Sequence, residues 1–167
     1  PLGEEQFAEM KNRLREAKRF IFIEYFIIAP GKMWNEFLEI LIERARAGVE
    51  VRLMYDGFGT KFFSTGDFLK IAKQHHIQCR CFNPFRPLLS SAQNNRDHRK
   101  ILVIDGNIAF NGGTNLADEY INEKVRFGHW KDTAIMLEGA AVWSYTMMFL
   151  QLWNMNNPNK KEAYDQY

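Results

Sequence analysis

Cysteine is scarce in this chain of 167 residues, and the two that occur, Cys79 and Cys81, are only two positions apart. Cysteines that close together on a strand cannot form a useful disulfide, and one Cys-x-Cys pair has too few ligands for a structural zinc site. Charge of one sign is also in short supply, because 22 Lys and Arg face 20 Asp and Glu. The sequence therefore excludes a disulfide scaffold, favours a reducing compartment and makes nucleic acid an unfavoured partner.

Long apolar runs are absent too. No stretch reaches about 18 uninterrupted apolar residues, and no charged-then-apolar leader occurs, so we expect neither a membrane span nor an export signal within this soluble chain. It begins Pro1-Leu2-Gly3 without a methionine, which is typical of a processed tag or a fragment of a longer protein. Hydrophobic residues make up 46% of the chain, enough for one sizeable core.

Helical and strand patterns alternate along the chain without an internal repeat. Apolar residues at helical spacing predict helices over about 4–18, 34–45, 65–75 and 140–153. Apolar, β-branched and aromatic runs predict strands over about 20–28, 49–55, 77–82, 100–104, 108–110 and 132–138. This order predicts an α/β fold in which a mixed β-sheet lies between helices on both faces. We expect one domain over 4–155, with 1–3 as the tag or fragment start and 156–167 as a polar tail.

One segment combines residues with a chemical message: His98-Arg99-Lys100, then Asp105, then Gly112-Gly113-Thr114-Asn115. Positions two apart on a strand share a face, so His98 and Lys100 are predicted to point into one site. A Gly112-Gly113 turn would bring backbone N–H groups there, and Asn115 would add an amide donor while also capping a helix from about Leu116. The pattern predicts a phosphate site that contains a nucleophile and needs no metal or cofactor.

His98-x-Lys100-x4-Asp105, followed by Gly112-Gly113-x-Asn115, resembles the HKD motif of the phospholipase D superfamily. The similarity covers about 4–155 and is most like the N-terminal catalytic half of bacterial cardiolipin synthases. The additional matching segments are 20–28, 41–51, 118–120 and 130–133.

The resemblance implies a ping-pong reaction through a phosphohistidine intermediate, and it assigns roles by position. His98 would be the nucleophile or the acid, with Lys100 and Asn115 as phosphate ligands and Asp105 as a motif residue of mainly structural role. An acidic residue on the strand after the motif, here Asp132, would hold the second nitrogen of the imidazole. Two positions depart from the family pattern: Gly113 replaces a common Ser, and Asp97 replaces an expected Asn.

A second HKD motif is missing from this chain. His129-Trp130-Lys131 imitates its start, but Met136 stands where Asp is needed. The resemblance implies two facing motifs, so we expect either a second HKD domain in the same longer protein or a second copy of this chain in a homodimer. The fit to a first half favours the longer protein.

The implied function is transfer of a phosphatidyl group between two phosphatidylglycerol molecules, at the cytoplasmic face of the bacterial cell membrane. The alternatives are a homodimeric phosphodiesterase or nuclease, and a noncatalytic lipid-binding or dimerisation module. Apolar residues at Phe58, Phe62 and Phe63 and over 82–89 suit acyl chains, although these loops could equally pack on each other or on the missing half of a longer protein. Arg86, Arg96 and Arg99 suit a nuclease. Glu24, a candidate substrate-binding residue, is either a charge at a strand edge or a group facing the site.

Overall fold

The fold is an α/β sandwich around one six-stranded sheet, as the sequence predicts. A computed structural model describes residues 2–60, 67–84, 94–155 and 162–167. The strands are β1 Phe20–Tyr25, β2 Glu50–Asp56, β3 Gln78–Phe82, β4 Lys100–Ile104, β5 Ile108–Gly112 and β6 Ala134–Glu138. The helices are α1 Gly3–Glu16, α2 Lys32–Arg46, α3 Asp67–Gln74 and α4 Val142–Asn154, with short 3-10 helices at Asp118–Ile121 and Tyr164–Gln166.

The sheet is mixed and has the strand order β3-β2-β1-β4-β5-β6. β1, β2 and β3 are parallel, whereas β4, β5 and β6 are each antiparallel to their neighbours. Helix α2 connects β1 to β2, which is the crossover that parallel neighbours require. Strand β4, which begins with Lys100, therefore lies in the middle of the sheet, between the parallel half and the antiparallel half.

Two apolar layers bury the two faces of the sheet. On one face, α1, α2 and α3 pack over Ile21, Ile23 and Leu102. On the other face, α4 packs over Phe22 and Ile101. Because side chains alternate along a strand, odd and even positions of β1 and β4 belong to different layers. This parity decides which polar side chains can meet.

The ends of several elements differ from the prediction. β1 stops at Tyr25, and beyond it Ile28 forms a bridge to Leu116. β5 continues through Gly112 instead of turning there. No α-helix begins near Leu116 within the described residues, and the 3-10 helix Asp118–Ile121 has Ala117 at its N-cap, so Asn115 does not cap it.

The predicted polar tail is partly packed against the domain. Glu162 pairs with the buried guanidinium of Arg52 on β2, with one N···O distance of 3.0 Å. The Tyr167 ring lies 5.1 Å from the Phe22 ring on the α4 face. A buried guanidinium needs a counter-charge, and this segment supplies it. Within the described ranges, no helix is long and apolar enough to cross a bilayer.

Candidate active site

His98 and Lys100 lie side by side where the chain enters β4. The His98 side chain is exposed, whereas Lys100 is buried. The Lys100 ammonium donates to the His98 carbonyl oxygen at 2.6 Å. Both side chains contact the ring of Phe26, just beyond β1: the imidazole centroid is 4.7 Å from it, and Lys100 Nζ is 5.4 Å from it. The structure thus brings the accessible imidazole and the buried cation to one place.

The electrostatic surroundings of Lys100 work in two directions. Burial lowers the pKa of Lys100 from its usual value, while the nearby carboxylates of Asp132 and Asp97 act to raise it. The ammonium donates one hydrogen bond to a backbone oxygen and has two further N–H groups. A cation held this way can meet an anionic ligand without first being freed from a tight carboxylate pair.

Asn115 is buried and held by two hydrogen bonds. Its Oδ1 accepts from the Ile27 N–H at 2.9 Å, next to Phe26, and its Nδ2 donates to the Tyr120 hydroxyl at 2.8 Å. Asn115 is therefore fixed close to the His98 and Lys100 cluster. An amide nitrogen carries two hydrogens, so one donor beyond the Tyr120 contact belongs to Nδ2.

Gly112 and Gly113 do not form the predicted turn. Gly112 ends β5 opposite Ala134 of β6, and the Gly113 N–H donates to the Thr133 carbonyl at 3.0 Å. That N–H is used by the sheet, so the prediction that Gly113 offers it to a phosphate is corrected. The glycines serve close approach instead, since a Cβ on Gly112 would lie 2.3 Å from the Thr133 carbonyl oxygen.

The Asp132 carboxylate occupies the space that a side chain at position 113 would fill. A Cβ on Gly113 would lie 2.1 Å from Asp132 Oδ1, an impossible contact. That oxygen also accepts from the Thr133 N–H at 2.7 Å. Among the described residues, no hydrogen bond joins Asp132 to the His98 ring. Asp132 is near Lys100, and its predicted role in holding the imidazole stays a prediction.

Asp105 lies away from this cluster, at the other end of β4. Its carboxylate accepts from the backbone N–H groups of Lys18, Arg19 and Phe20 at 2.8–2.9 Å and so fixes the start of β1. Five residues of strand separate it from Lys100, roughly 17 Å. Listing Asp105 with catalytic residues is therefore corrected, while its bonds agree with the mainly structural role that the motif implies.

Glu24 does not face the site. It is fully buried in the central strand β1 and pairs with Met54 and Ile101, on the α4 side of the sheet. It does not lie at a strand edge, and it lies on the opposite face of the sheet from Lys100, so its assignment to substrate binding gains no support from these contacts and stays a prediction. Strand parity is the reason for the opposite faces, because Lys100 is adjacent to Ile101 and points to the other side.

Glu24 instead forms a buried polar group with Asp97 and Arg99. Arg99 Nε lies 2.6 Å from Glu24 Oε1 and 3.2 Å from Asp97 Oδ1, although the Glu24 contact lacks hydrogen-bond alignment. Burial, and then the Asp97 carboxylate, raise the pKa of Glu24 to about 8, against the opposing effect of Arg99. Glu24 is therefore mostly protonated at neutral pH.

Comparison with known proteins shows to which family the chain belongs. A family model described as "Cardiolipin synthase, PLD-like domain" matches residues 10–153. The chain belongs to this family. A cardiolipin synthase 2 from Bacillus cereus is 40% identical over 152 residues, which is 90% of this chain and 29% of that protein. An uncharacterized protein from Streptococcus mutans is 54% identical over 163 residues, 98% of this chain and 35% of that one.

Solved structures of low sequence identity share the fold. Nuc from Salmonella typhimurium, a phospholipase D family member, has a TM-score of 0.61 at 18% identity and covers 88% of this chain and 86% of its own. NucT from Helicobacter pylori has a TM-score of 0.67 at 11% identity, with coverages of 91% and 89%. This member of the cardiolipin synthase, PLD-like family spans about a third of the length of the curated relatives above.

The predicted rims of the family site are only partly described. Phe58 is 46% exposed, while Phe82 packs partly against the α4 layer. Arg96 donates to the Asn83 carbonyl at 2.9 Å, and Arg99 pairs with Asp97 and Glu24, so both arginines have internal partners. Pro84 is exposed. The remaining predicted rim residues lie outside the described residues: Phe62, Phe63, Phe85, Arg86, Pro87, Leu88 and Leu89.

Sequence reasoning missed two residues that shape the site. Phe26 contacts both His98 and Lys100, and Tyr120 holds Asn115. Phe26 lies in the apolar run 20–28, just past the last residue of β1, and no motif marks it. Tyr120 lies in the matching segment 118–120, and the signal for it is its position five residues after Asn115.

Proposed function

We propose that this domain is one catalytic half of a cardiolipin synthase, which transfers a phosphatidyl group from one phosphatidylglycerol molecule to another and releases glycerol. The observation that carries the proposal is the accessible His98 imidazole beside the buried Lys100 ammonium, in a chain of the cardiolipin synthase, PLD-like family. Phosphatidylglycerol is a membrane lipid, so the reaction would take place at the membrane, on its cytoplasmic face.

In the proposed first step, an imidazole nitrogen of His98 attacks the phosphorus, a P–N bond forms, and the bond to the glycerol oxygen breaks. Lys100 and the second Nδ2 hydrogen of Asn115 stabilise the charge on the non-bridging oxygens. In the second step, a hydroxyl of the next phosphatidylglycerol attacks the phosphohistidine, the P–N bond breaks, and the imidazole is restored.

A second histidine is required to give a proton to the leaving glycerol oxygen and to take one from the incoming hydroxyl. Within this chain the HKD pattern occurs once, so the second histidine comes from another domain of a longer protein or from a second copy of this chain. Asp132 is proposed as a positioning residue. Its negative charge acts on the Lys100 ammonium, and its carboxylate would hold the imidazole of His98 in place.

The test is His98→Ala in the whole gene product, with cardiolipin formation measured on phosphatidylglycerol vesicles. We expect a loss of about 1,000-fold or more, because a nucleophile acts as one unit with its partners. His75→Ala, just after α3, is the matched control and should keep wild-type activity. Unchanged cardiolipin formation in His98→Ala would sink the proposal.

The competing functions are decided by two added measurements. A covalent lipid adduct on His98, detected by mass spectrometry after rapid acid-free quenching, is expected for the transferase and is absent for a noncatalytic lipid-binding module. Cleavage of single-stranded DNA that depends on His98 and resists a chelator, without any cardiolipin formed, would replace the lipid by a nucleic acid as substrate.

A further inference from the structure

The loop between the 3-10 helix Asp118–Ile121 and β6 presents two apolar side chains to solvent. Val125 is 83% exposed and Phe127 is 80% exposed, more than any other large hydrophobic residue in the described part of the chain. A tip of this kind costs free energy in water and marks a surface that meets another phase or molecule. Residues 123–131 are called the tip loop below.

The base of the tip loop is closed by hydrogen bonds. Asn122 is in the left-handed conformation with φ 56°. Its Oδ1 accepts from the Trp130 N–H at 2.7 Å, and its Nδ2 donates to the Trp130 carbonyl at 3.1 Å. One side chain therefore clamps both polar groups of Trp130, so the tip is a preformed projection, as in compact surface loops.

The closed base adjoins the candidate active site. The Trp130 ring packs on Tyr120 with centroids 4.7 Å apart, and the Tyr120 hydroxyl accepts from Asn115. Asp132 follows Trp130 by two positions and lies against Gly113. The tip loop is therefore connected to Asn115 through side-chain contacts and to Asp132 through the chain itself.

The charged residues of the tip loop indicate which kind of partner it would bind. Cations alternate with the apolar residues in Lys124-Val125-Arg126-Phe127, and Lys131 adds another at the base. The one carboxylate in the tip loop, Glu123, pairs with Lys32, outside the loop. Arg126 pairs with Glu119 and lies 5.1 Å from the Phe127 ring. Apolar side chains flanked by exposed cations match an anionic lipid surface, where the rings enter the acyl boundary and the cations remain among headgroups.

We propose that the tip loop binds the surface of an anionic phospholipid bilayer, through insertion of Val125 and Phe127 and attraction of Lys124 and Lys131 to headgroups. The inference deepens the proposed function, on which it rests for its choice of lipid as partner. It gives this domain its own contact with the membrane, close to Tyr120, which holds Asn115, and to Asp132.

The test is co-flotation of this chain with vesicles of phosphatidylglycerol or of phosphatidylcholine. We expect wild type to bind phosphatidylglycerol vesicles at least tenfold more tightly than phosphatidylcholine ones, and we expect Val125→Ser with Phe127→Ser to lower that binding about tenfold or more, because each removes buried apolar area. Trp143→Ser, an exposed apolar residue on α4, is the matched control and should bind like wild type.

Three outcomes would overturn the inference: no binding of wild type to anionic vesicles, equal binding by the double variant, or conversion of a wild-type dimer into a monomer by the double variant. The last outcome would make the tip an interface between copies. Circular dichroism of the double variant checks folding, and no loss is expected because both side chains are exposed.

A soluble substrate separates this inference from the proposed function. In the whole gene product, the double variant should turn over monomeric short-chain phosphatidylglycerol at the wild-type rate and vesicle lipid more slowly. If wild type bound vesicles through the tip but formed no short-chain cardiolipin, the transferase proposal would fall and the tip loop would stand.

Discussion

Gly113 shows at the scale of one residue how the site depends on a missing side chain. The space over its Cα is filled by the Asp132 carboxylate, which also lies in the electrostatic surroundings of Lys100. In this chain, glycine and aspartate at these two positions form a matched pair.

Gly113→Ala tests this pairing. The added Cβ would lie 2.1 Å from Asp132 Oδ1, so the carboxylate must move away. A shift of about 1 Å near the reacting groups is expected to lower kcat about 100-fold. Cardiolipin formation by the whole gene product is the measurement, with the melting temperature as a check on folding.

A double-mutant cycle supplies the control. If the substitution acts through Asp132, Gly113→Ala should cost little further activity when Asp132 is already Ala, because the Cβ then has room. Equal losses in both backgrounds would contradict the pairing. The pH profile separates a positioning role from a structural one, since moving a carboxylate away from Lys100 should shift the profile.

At the scale of an element, β1 carries a carboxyl on the face covered by α4. Glu24 follows Phe20 and Phe22 on that face, and its partners Asp97 and Arg99 come from the segment leading into β4. Burial has the largest effect on the pKa of Glu24. The folded protein therefore keeps the proton up to a pH near its pKa of about 8, whereas an unfolded chain releases it near the ordinary pKa of 4.5.

The sign of the pH effect follows from that difference. Between pH 4.5 and 8 the folded state binds more protons than the unfolded state, so the stability associated with protonated Glu24 falls as pH rises, by at most about 1.4 kcal/mol per pH unit. Glu24→Gln has no group at this position that titrates. Its melting temperature should therefore fall less than that of wild type between pH 5.5 and pH 8, and at pH 8 it should be the more stable protein.

Thermal unfolding followed by circular dichroism across this pH range makes the comparison. Glu39→Gln is the control, because Glu39 is exposed on α2 and should leave the wild-type pH dependence in place. Parallel curves for wild type and Glu24→Gln would show that Glu24 does not hold the extra proton.

At the scale of the whole molecule, the decisive fact is one motif in a chain that spans about a third of its relatives. The proposed mechanism needs two histidines, and a single copy supplies one in the predicted position. We therefore expect the second histidine from another domain of a longer protein, and the chain by itself to be a monomer of 19.7 kDa.

Sedimentation equilibrium over a range of micromolar concentrations checks that expectation. A mass of 19.7 kDa that does not change with concentration agrees with it. A stable dimer would contradict it and would allow a two-histidine site between copies. The variant His98→Ala should have the same oligomeric state as wild type, because the His98 side chain is exposed and contributes little to folding.

Local patterns in the sequence are enough to predict the alternation of helices and strands, the α/β class, and the proximity of His98 to Lys100. These features are local, because apolar periodicity selects the element and a spacing of two along a strand selects a shared face. The family also followed from short-range spacing in the motif, with Asp105, Gly112, Gly113 and Asn115 in register.

The contacts of these residues depend on how the whole chain packs. Asn115 meets Ile27, 88 positions away, and Asp105 meets Lys18, 87 positions away. Glu24 faces α4 because β1 pairs with β4 in a single register, which fixes the face to which its side chains point. The Gly113 N–H donates to the Thr133 carbonyl because β6 pairs with β5. Such partners come from segments distant in sequence, and their positions are set by packing of the whole core, which no local pattern encodes.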